Sequence, residues 1–334
     1  MRYLVFLFLF ISFLFACKKN KVAIDEYKLS YPSHFPEPHY SFENNEITKE
    51  RFELGKKLFF DPLLSIDNTI SCGSCHAQTH AFADHNVSLS SGVNGALGTR
   101  NSPSIANMIW QKSFLWDGGV NHLEMFSIAP ILNPVEMNET IPGILAKLNN
   151  SSFYKNAFQK AYGVDEINDQ VLFRSLTVFM AMIVSADSKY DKWRQGNATL
   201  STKEKAGLEL FRQHCASCHS EPLFTDHSFR NNGLDSEFND LGRALITLDP
   251  SDQGKFKVPS LRNVELTYPY MHDGRFWSLQ QVMDHYASGI HSSATLDPVL
   301  TNGIVLSDTE KEQLIAFLKT LTDYSLLNNK LLFE

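Results

Sequence analysis

The sequence predicts an all-α protein made of two similar halves, and three observations lead there. Apolar side chains recur at helical spacing from Thr48 to the Asp61-Pro62 stop. They do so again near 141–149, 152–162, 168–186, 201–213, 278–287 and 308–321, while strand-like alternation is scarce. One five-residue pattern occurs twice, as Cys72-Gly73-Ser74-Cys75-His76 and Cys215-Ala216-Ser217-Cys218-His219. The flanks of the two copies also match. Glu53-Leu54-Gly55-Lys56-Lys57-Leu58-Phe59 precedes the first and Lys205-Ala206-Gly207-Leu208-Glu209-Leu210-Phe211 the second; Phe82-Ala83-Asp84 and Phe224-Thr225-Asp226 follow them. A duplicated unit fits all three.

Taken in order, the chain opens with a targeting segment. Arg2 precedes an apolar run from Tyr3 to Ala16, short for a membrane span and suited to a signal-peptide core. Leu14-Phe15-Ala16-Cys17 resembles a bacterial lipoprotein signal, so residues 1–16 are expected to be removed and Cys17 acylated. Phe15 departs from the commonest form of that signal, which leaves soluble secretion as the alternative. Either way the chain leaves the cytoplasm, and the expected place is the periplasm, with a lipid anchor in a membrane. Residues 17–44, polar and rich in Pro and Tyr, read as a lipid-anchored tether. A first domain is expected over 45–196 and a second over 197–334, joined at Gln195-Gly196-Asn197-Ala198-Thr199. The helix from Thr48 carries Phe52, Leu54, Leu58 and Phe59, although Gly55 in their midst weakens it.

The repeated pattern is the attachment signature of c-type haem. Two cysteines one helical turn apart can each form a thioether to a vinyl group of one porphyrin. The histidine that follows then lies under the iron as an axial ligand. Short-loop disulfides or a zinc site are the alternatives, and neither explains a histidine at the same place after both pairs. Two cytochrome c-like haem domains are therefore expected in one chain, after the signal segment. Cys72, Cys75 and His76 would hold one covalent haem c, and Cys215, Cys218 and His219 the other. Covalent attachment normally happens outside the cytoplasmic membrane, in agreement with the targeting segment. A net charge of −7 argues against nucleic-acid binding and would suit a basic redox partner.

Between and after these motifs the chain resembles the bacterial dihaem cytochrome c peroxidase family, which includes the methylamine-utilisation branch, over about residues 48–325. The resemblance rests on Arg100-Asn101-Ser102-Pro103-Ser104, Trp116-Asp117-Gly118, Pro130 and Asn133-Pro134-Val135-Glu136-Met137. It continues through Lys257-Val258-Pro259-Ser260-Leu261-Arg262-Asn263-Val264, Tyr268-Pro269-Tyr270-Met271-His272-Asp273-Gly274 and His285-Tyr286. It implies that the haem on His76 reacts with hydrogen peroxide, that Glu136 moves the proton and that Pro130 shapes the distal pocket. A loop histidine that closes the first iron in family members is replaced by Val93, so an open iron is expected without reductive activation. His80 and His85 are the histidines near enough to close it instead. Phe126 stands where the family usually has Gln.

The resemblance also makes the haem on His219 the electron-transfer site. Its distal ligand is expected to be Tyr286, as in the methylamine-utilisation branch, where the peroxidase branch has Met; Met283 and Met271 are the rivals. Trp116 matches a tryptophan between the two haems. Calcium is implied at Asn101 and at the carbonyls of Thr267 and Pro269, and propionate contacts at His272 and Arg262. The implied activity is reduction of hydrogen peroxide with electrons from a small cytochrome c or cupredoxin. The alternatives are a dihaem oxidase that modifies side chains of a partner protein, which Tyr286 and Val93 favour, and a non-catalytic dihaem electron carrier. A homodimer, common in the family, is a further expectation, as is membrane contact through the lipid anchor alone.

Overall fold

The computed structural model describes residues 26–334; the signal segment and Cys17 lie outside the described residues. The helices are α1 (Lys49–Phe60), α2 (Cys72–Cys75), α3 (Ile128–Leu132), α4 (Ile141–Asn149), α5 (Ser152–Tyr162) and α6 (Asp169–Ala181). They continue as α7 (Lys189–Arg194), α8 (Thr202–His214), α9 (Ala244–Thr247), α10 (Leu279–Ser288), α11 (Asp308–Lys319) and α12 (Tyr324–Leu327). Two antiparallel two-residue strands, β1 (Phe229–Arg230) and β2 (Phe256–Lys257), are the only named strands among the described residues. The fold is thus mostly helical with little sheet. No described helix is long and apolar enough to cross a membrane.

Each long helix begins on a side-chain cap. Thr48, Thr140, Ser151, Asn168, Ser201, Ser278 and Ser307 accept the first free N–H groups of α1, α4, α5, α6, α8, α10 and α11. The run expected over 168–186 ends early, at Ala181. Beyond it Asn107 competes for the backbone: its N–H donates to Ile183 O, and its side-chain oxygen accepts from Ser185 N.

Two hydrophobic clusters form. One gathers residues from Phe35 to Ile183 around α1 and α6; the other gathers Tyr190 to Leu321 around α8 and α11. The two helix pairs cross in the same way. A Cβ on Gly55 would run into the Ser175 carbonyl and press on Phe179, and one on Gly207 would run into the Gln313 carbonyl and press on Phe317. Glycine costs helix propensity at both places, and close approach of the backbones is what it allows. The Gly55 that counted against a helix is what lets that helix pack.

The chain crosses between the clusters at both ends. Leu326 and Leu332 join the first cluster, and Gln78 Nε2 donates to Leu326 O (2.8 Å) and Asn329 O (2.9 Å). Residues 26–44, the described part of the expected tether, lie along the protein. Phe35 packs edge-on to Trp110, whose indole N–H donates to Pro36 O at 2.8 Å, and the His39 and Tyr40 N–H groups share Ile109 O. Next to Phe35, Arg262 forms a fully buried pair with Asp191, two bonds of 2.8 Å each, and His34 adds a contact to Asp191 at 3.2 Å.

Candidate dihaem site

The two Cys-x-x-Cys-His segments fold alike. Each winds one turn, with His76 N–H bonded to Cys72 O (3.0 Å) and His219 N–H to Cys215 O (2.9 Å). Each histidine is then locked by the repeated phenylalanine: Nδ1 of His76 donates to Phe82 O (2.9 Å) and Nδ1 of His219 to Phe224 O (3.1 Å). A carbonyl only accepts, so both rings carry their proton on Nδ1 and leave Nε2 free as a ligand. Phe82 (φ 61°) and Phe224 (φ 55°) are both left-handed, a strained place for a bulky residue that brings each carbonyl under its imidazole. Burial pushes both imidazoles below the usual range, so they are neutral near pH 7, as a metal ligand requires. None of Cys72, Cys75, Cys215 and Cys218 is in a disulfide, so both sulfurs of each pair stay available for a thioether. Among the described residues no three His, Cys, Asp or Glu side chains gather as a zinc site would need.

Both histidines line one cavity of about 680 Å³ that reaches through the centre of the protein. Its other walls differ. On the side of the first motif stand Phe126, Pro130, Asn133 and Glu136. Pro130 sits in the first turn of α3, where its missing N–H is not needed. Asn133 is oriented by Val135 N–H on its oxygen (3.2 Å), and its Nδ2 donates to Glu136 Oε1 at 2.6 Å. Burial raises the Glu136 carboxyl above the usual range, with the Asn133 bond pulling the other way. Burial likewise pushes the Cys75 thiol up to about 11, with Asp84 and then Glu136 adding to it, so this carboxylate lies near Cys75. Glu139, the other acid of the segment, is committed to Lys147 (2.6 Å) and to Thr140 N–H.

Val93 is buried outside the cavity lining, its N–H bonded to Glu136 O at 2.8 Å. Gly92 makes that contact close enough: a Cβ there would strike the backbone of Val135 and Glu136. His80 and His85 stack on each other, centroids 5.1 Å apart at 28°, and neither lines the cavity.

On the side of the second motif stand Tyr286, Met283 and Met271. Burial pushes the Tyr286 phenol up to about 12, with Cys215 and Cys218 adding to it and the Asn232 carboxamide pulling it down. Tyr286 thus lies near the second cysteine pair, as Glu136 lies near Cys75.

Trp116 lines the same cavity, its indole N–H donating to Asn101 O at 2.8 Å. Asn101, Thr267 and Pro269 line the same cavity, and Asn101 Nδ2 donates to Ser88 O (3.1 Å). Arg100 ties the halves together through Asp117 (2.5 Å) and Asp240 (2.6 Å). His272 lies face-on to Phe256, centroids 3.7 Å apart, while Arg262 gives its guanidinium to Asp191 and Pro222 O. The cation that faces the cavity unmatched is Lys257. Its Nζ donates to Gln111 Oε1 (2.5 Å) and Ser113 O (3.0 Å), both neutral acceptors, and burial pushes it down to about 7 against a weaker pull from Asp117.

A sequence model described as di-haem cytochrome c peroxidase matches residues 49–199. The methylamine utilization protein MauG of Methylorubrum extorquens is 35% identical over 303 residues, 87% of this chain and 82% of that protein. The cytochrome c551 peroxidase of Nitrosomonas europaea is 34% identical over 276 residues, 81% of this chain and 79% of that one. The chain belongs to the di-haem cytochrome c peroxidase family. Among solved structures, a MauG-like protein associated with microbial copper homeostasis superposes with a TM-score of 0.85 at 33% identity, over 92% of this chain and 98% of that one. The diheme peroxidase BthA of Burkholderia thailandensis shares the fold, with a TM-score of 0.74 at 22% identity, over 85% of this chain and 88% of that one.

As a member of this family the protein is a c-type dihaem oxidoreductase acting on peroxide. Its residues fit two haems. Two identical Nδ1 locks present two neutral imidazoles to one large cavity, with a half-buried cysteine pair beside each. A buried ammonium without a carboxylate is costly, and a haem propionate would supply the anion that Lys257 lacks. Sequence reasoning missed Lys257, Asn133 and Asn232 as participants. Lys257 and Asn133 stood inside family-like segments, but nothing local marked them as facing the cavity.

Proposed function

We propose that this protein reduces hydrogen peroxide at the first haem with electrons that enter through the second. What supports the reading is that the cavity shared by His76 and His219 is also lined by two unlike groups, the Glu136 carboxyl, whose charge is felt at Cys75, and the Tyr286 phenol, which feels Cys215 and Cys218. When bound, a haem on His76 supplies an iron at which peroxide coordinates and its O–O bond is broken. Glu136 takes the proton from one peroxide oxygen and returns it to the other, and its raised pKa suits that exchange near neutrality. Asn133 holds the carboxylate in place, and Pro130 and Phe126 narrow the pocket and exclude water. Trp116 bridges the two sides for electron transfer. Tyr286 would hold the second iron, with Met283 and Met271 as rivals, and a phenolate there would favour the ferric state. Asn101 and the carbonyls of Thr267 and Pro269 are a calcium site, since that ion prefers such oxygens.

The donor is a small cytochrome c or cupredoxin, and the place of work is the periplasm, with an anchor at Cys17. A second reading rests on Tyr286 and on the likeness to MauG: oxidation of side chains on a partner protein. Mixing the ferric holoprotein with stoichiometric peroxide and then reduced cytochrome c separates the two. Rapid multiple turnover of cytochrome is expected. A long-lived oxidised protein that cytochrome barely discharges would favour the second reading, and no response to peroxide would leave an electron carrier.

A further inference from the structure

We infer that Ser104 and Ser260 are positioning residues, one for each haem, which hold in place the carbonyls that lock His76 and His219. The inference rests on the reading of those histidines as iron ligands. It does not depend on which haem meets peroxide.

A third pair of segments extends the repeat. Pro103-Ser104-Ile105-Ala106-Asn107 and Pro259-Ser260-Leu261-Arg262-Asn263 align position by position, and they make the same bonds. Ser104 Oγ donates to Ala81 O and Ser260 Oγ to Leu223 O, both at 2.6 Å. Those acceptors immediately precede Phe82 and Phe224. One residue on, Ile105 N–H donates to Phe82 O and Leu261 N–H to Phe224 O, both at 3.2 Å. Each phenylalanine carbonyl therefore accepts twice, from its histidine and from this backbone N–H, one donor for each lone pair. The serines also accept, from Ala106 N–H and Arg262 N–H at 3.2 Å each. Asn107 and Asn263 are both left-handed (φ 62°), and both end on the buried Ser185. Asn107 Oδ1 accepts its N–H at 2.8 Å, and Asn263 Nδ2 donates to its Oγ at 3.0 Å.

The loops need such a hold. Phe82 and Phe224 are left-handed, and in the first loop Ala81 is as well (φ 52°). A strained peptide turns back when its ties are cut, and the carbonyl it carries leaves the imidazole. The second loop has a further tie, from Arg262 to Pro222 O (3.0 and 2.7 Å), where the first segment has only Ala106. A hydrogen bond accepted from Nδ1–H makes an imidazole a stronger donor to ferric iron, which holds the potential down. Losing a serine hydroxyl should therefore raise the potential of one haem and leave the other alone.

The test is Ser104→Ala and Ser260→Ala in the haem-loaded protein. Each haem is followed in redox titration by its own optical and magnetic spectrum. Ser104→Ala should shift the ferric to ferrous ratio of the haem on His76 toward ferrous at least threefold, about 28 mV for one electron. Ser260→Ala should move only the haem on His219, and by less, because Arg262 still holds Pro222 O. Ser104→Thr keeps the hydroxyl and should restore the parent potential. No shift at unchanged haem content, a shift at the wrong haem or equally at both, a larger effect from Ser260→Ala than from Ser104→Ala, or a shift that threonine leaves in place would overturn the inference. Should Ser104→Ala load haem poorly, Ser104→Gly carries the same expectation. His76→Gly in the parent keeps the two ideas apart: an unchanged spectrum of the first haem there refutes His76 as its ligand, whatever the serines do.

Discussion

Glu136→Gln isolates the proposed proton transfer from everything else in the pocket. The carboxylate makes one side-chain hydrogen bond, accepted on Oε1 from Asn133 at 2.6 Å, and an amide keeps an oxygen for that donor. Burial already disfavours the charged form, so replacing it by a neutral isostere should not lower the melting temperature. What is lost is the ability to take a proton. General acid–base groups contribute about 10²–10⁴ in rate, or about 3–5 kcal/mol of barrier. Stopped-flow mixing of the ferric holoprotein with peroxide measures that step directly. In the parent the rate should fall as pH drops through the raised pKa of Glu136, because a protonated carboxyl cannot accept. In the variant it should be slow and flat across that window. A variant that reacts within about threefold of the parent at neutral pH, with haem content unchanged, would refute the role.

Two further predictions concern the scaffold. Gly55→Ala and Gly207→Ala should each cost about 1–3 kcal/mol in chemical denaturation, because a methyl group meets a carbonyl oxygen of the crossing helix rather than a movable side chain. Arg262→Leu leaves Asp191 buried without its partner and should cost about 3–5 kcal/mol. Burial alone would raise the Asp191 carboxyl, but Arg262 and Ser188 outweigh it and hold it below the usual range. Its contribution to stability is therefore complete above the unfolded value, about 3.9, and is lost as pH falls through the lower folded value. Denaturation midpoints measured across that range should fall in the parent and stay flatter in the variant.

What the sequence made legible was local. The helices expected at 141–149, 152–162, 201–213 and 308–321 needed only apolar spacing, and the structure has them at 141–149, 152–162, 202–214 and 308–319, each capped by a Ser or Thr. What stayed hidden was contact over long separations. Arg100 meets Asp240 across 140 residues, Lys257 meets Gln111 across 146, and Arg262 meets Asp191 across 71. No periodicity encodes such pairs. Arg262 illustrates the limit: its guanidinium pairs with a buried carboxylate, Asp191, that no motif announced.

The repeat in the sequence also marks where the two halves must differ in chemistry. Gly55 and Gly207, the paired cysteines, His76 and His219, and Phe82 and Phe224 make matching contacts in the two halves. Two imidazoles locked in the same tautomer by equivalent carbonyls present the same free nitrogen to the cavity. Any division of labour between them has to arise on the opposite walls. Those walls come from unlike parts of the chain: the α3 turn and its Asn133–Glu136 loop on one side, α10 and the Asn232 loop on the other. The walls of the cavity can therefore vary without touching the repeated glycines, cysteines and histidines, which lie on other elements.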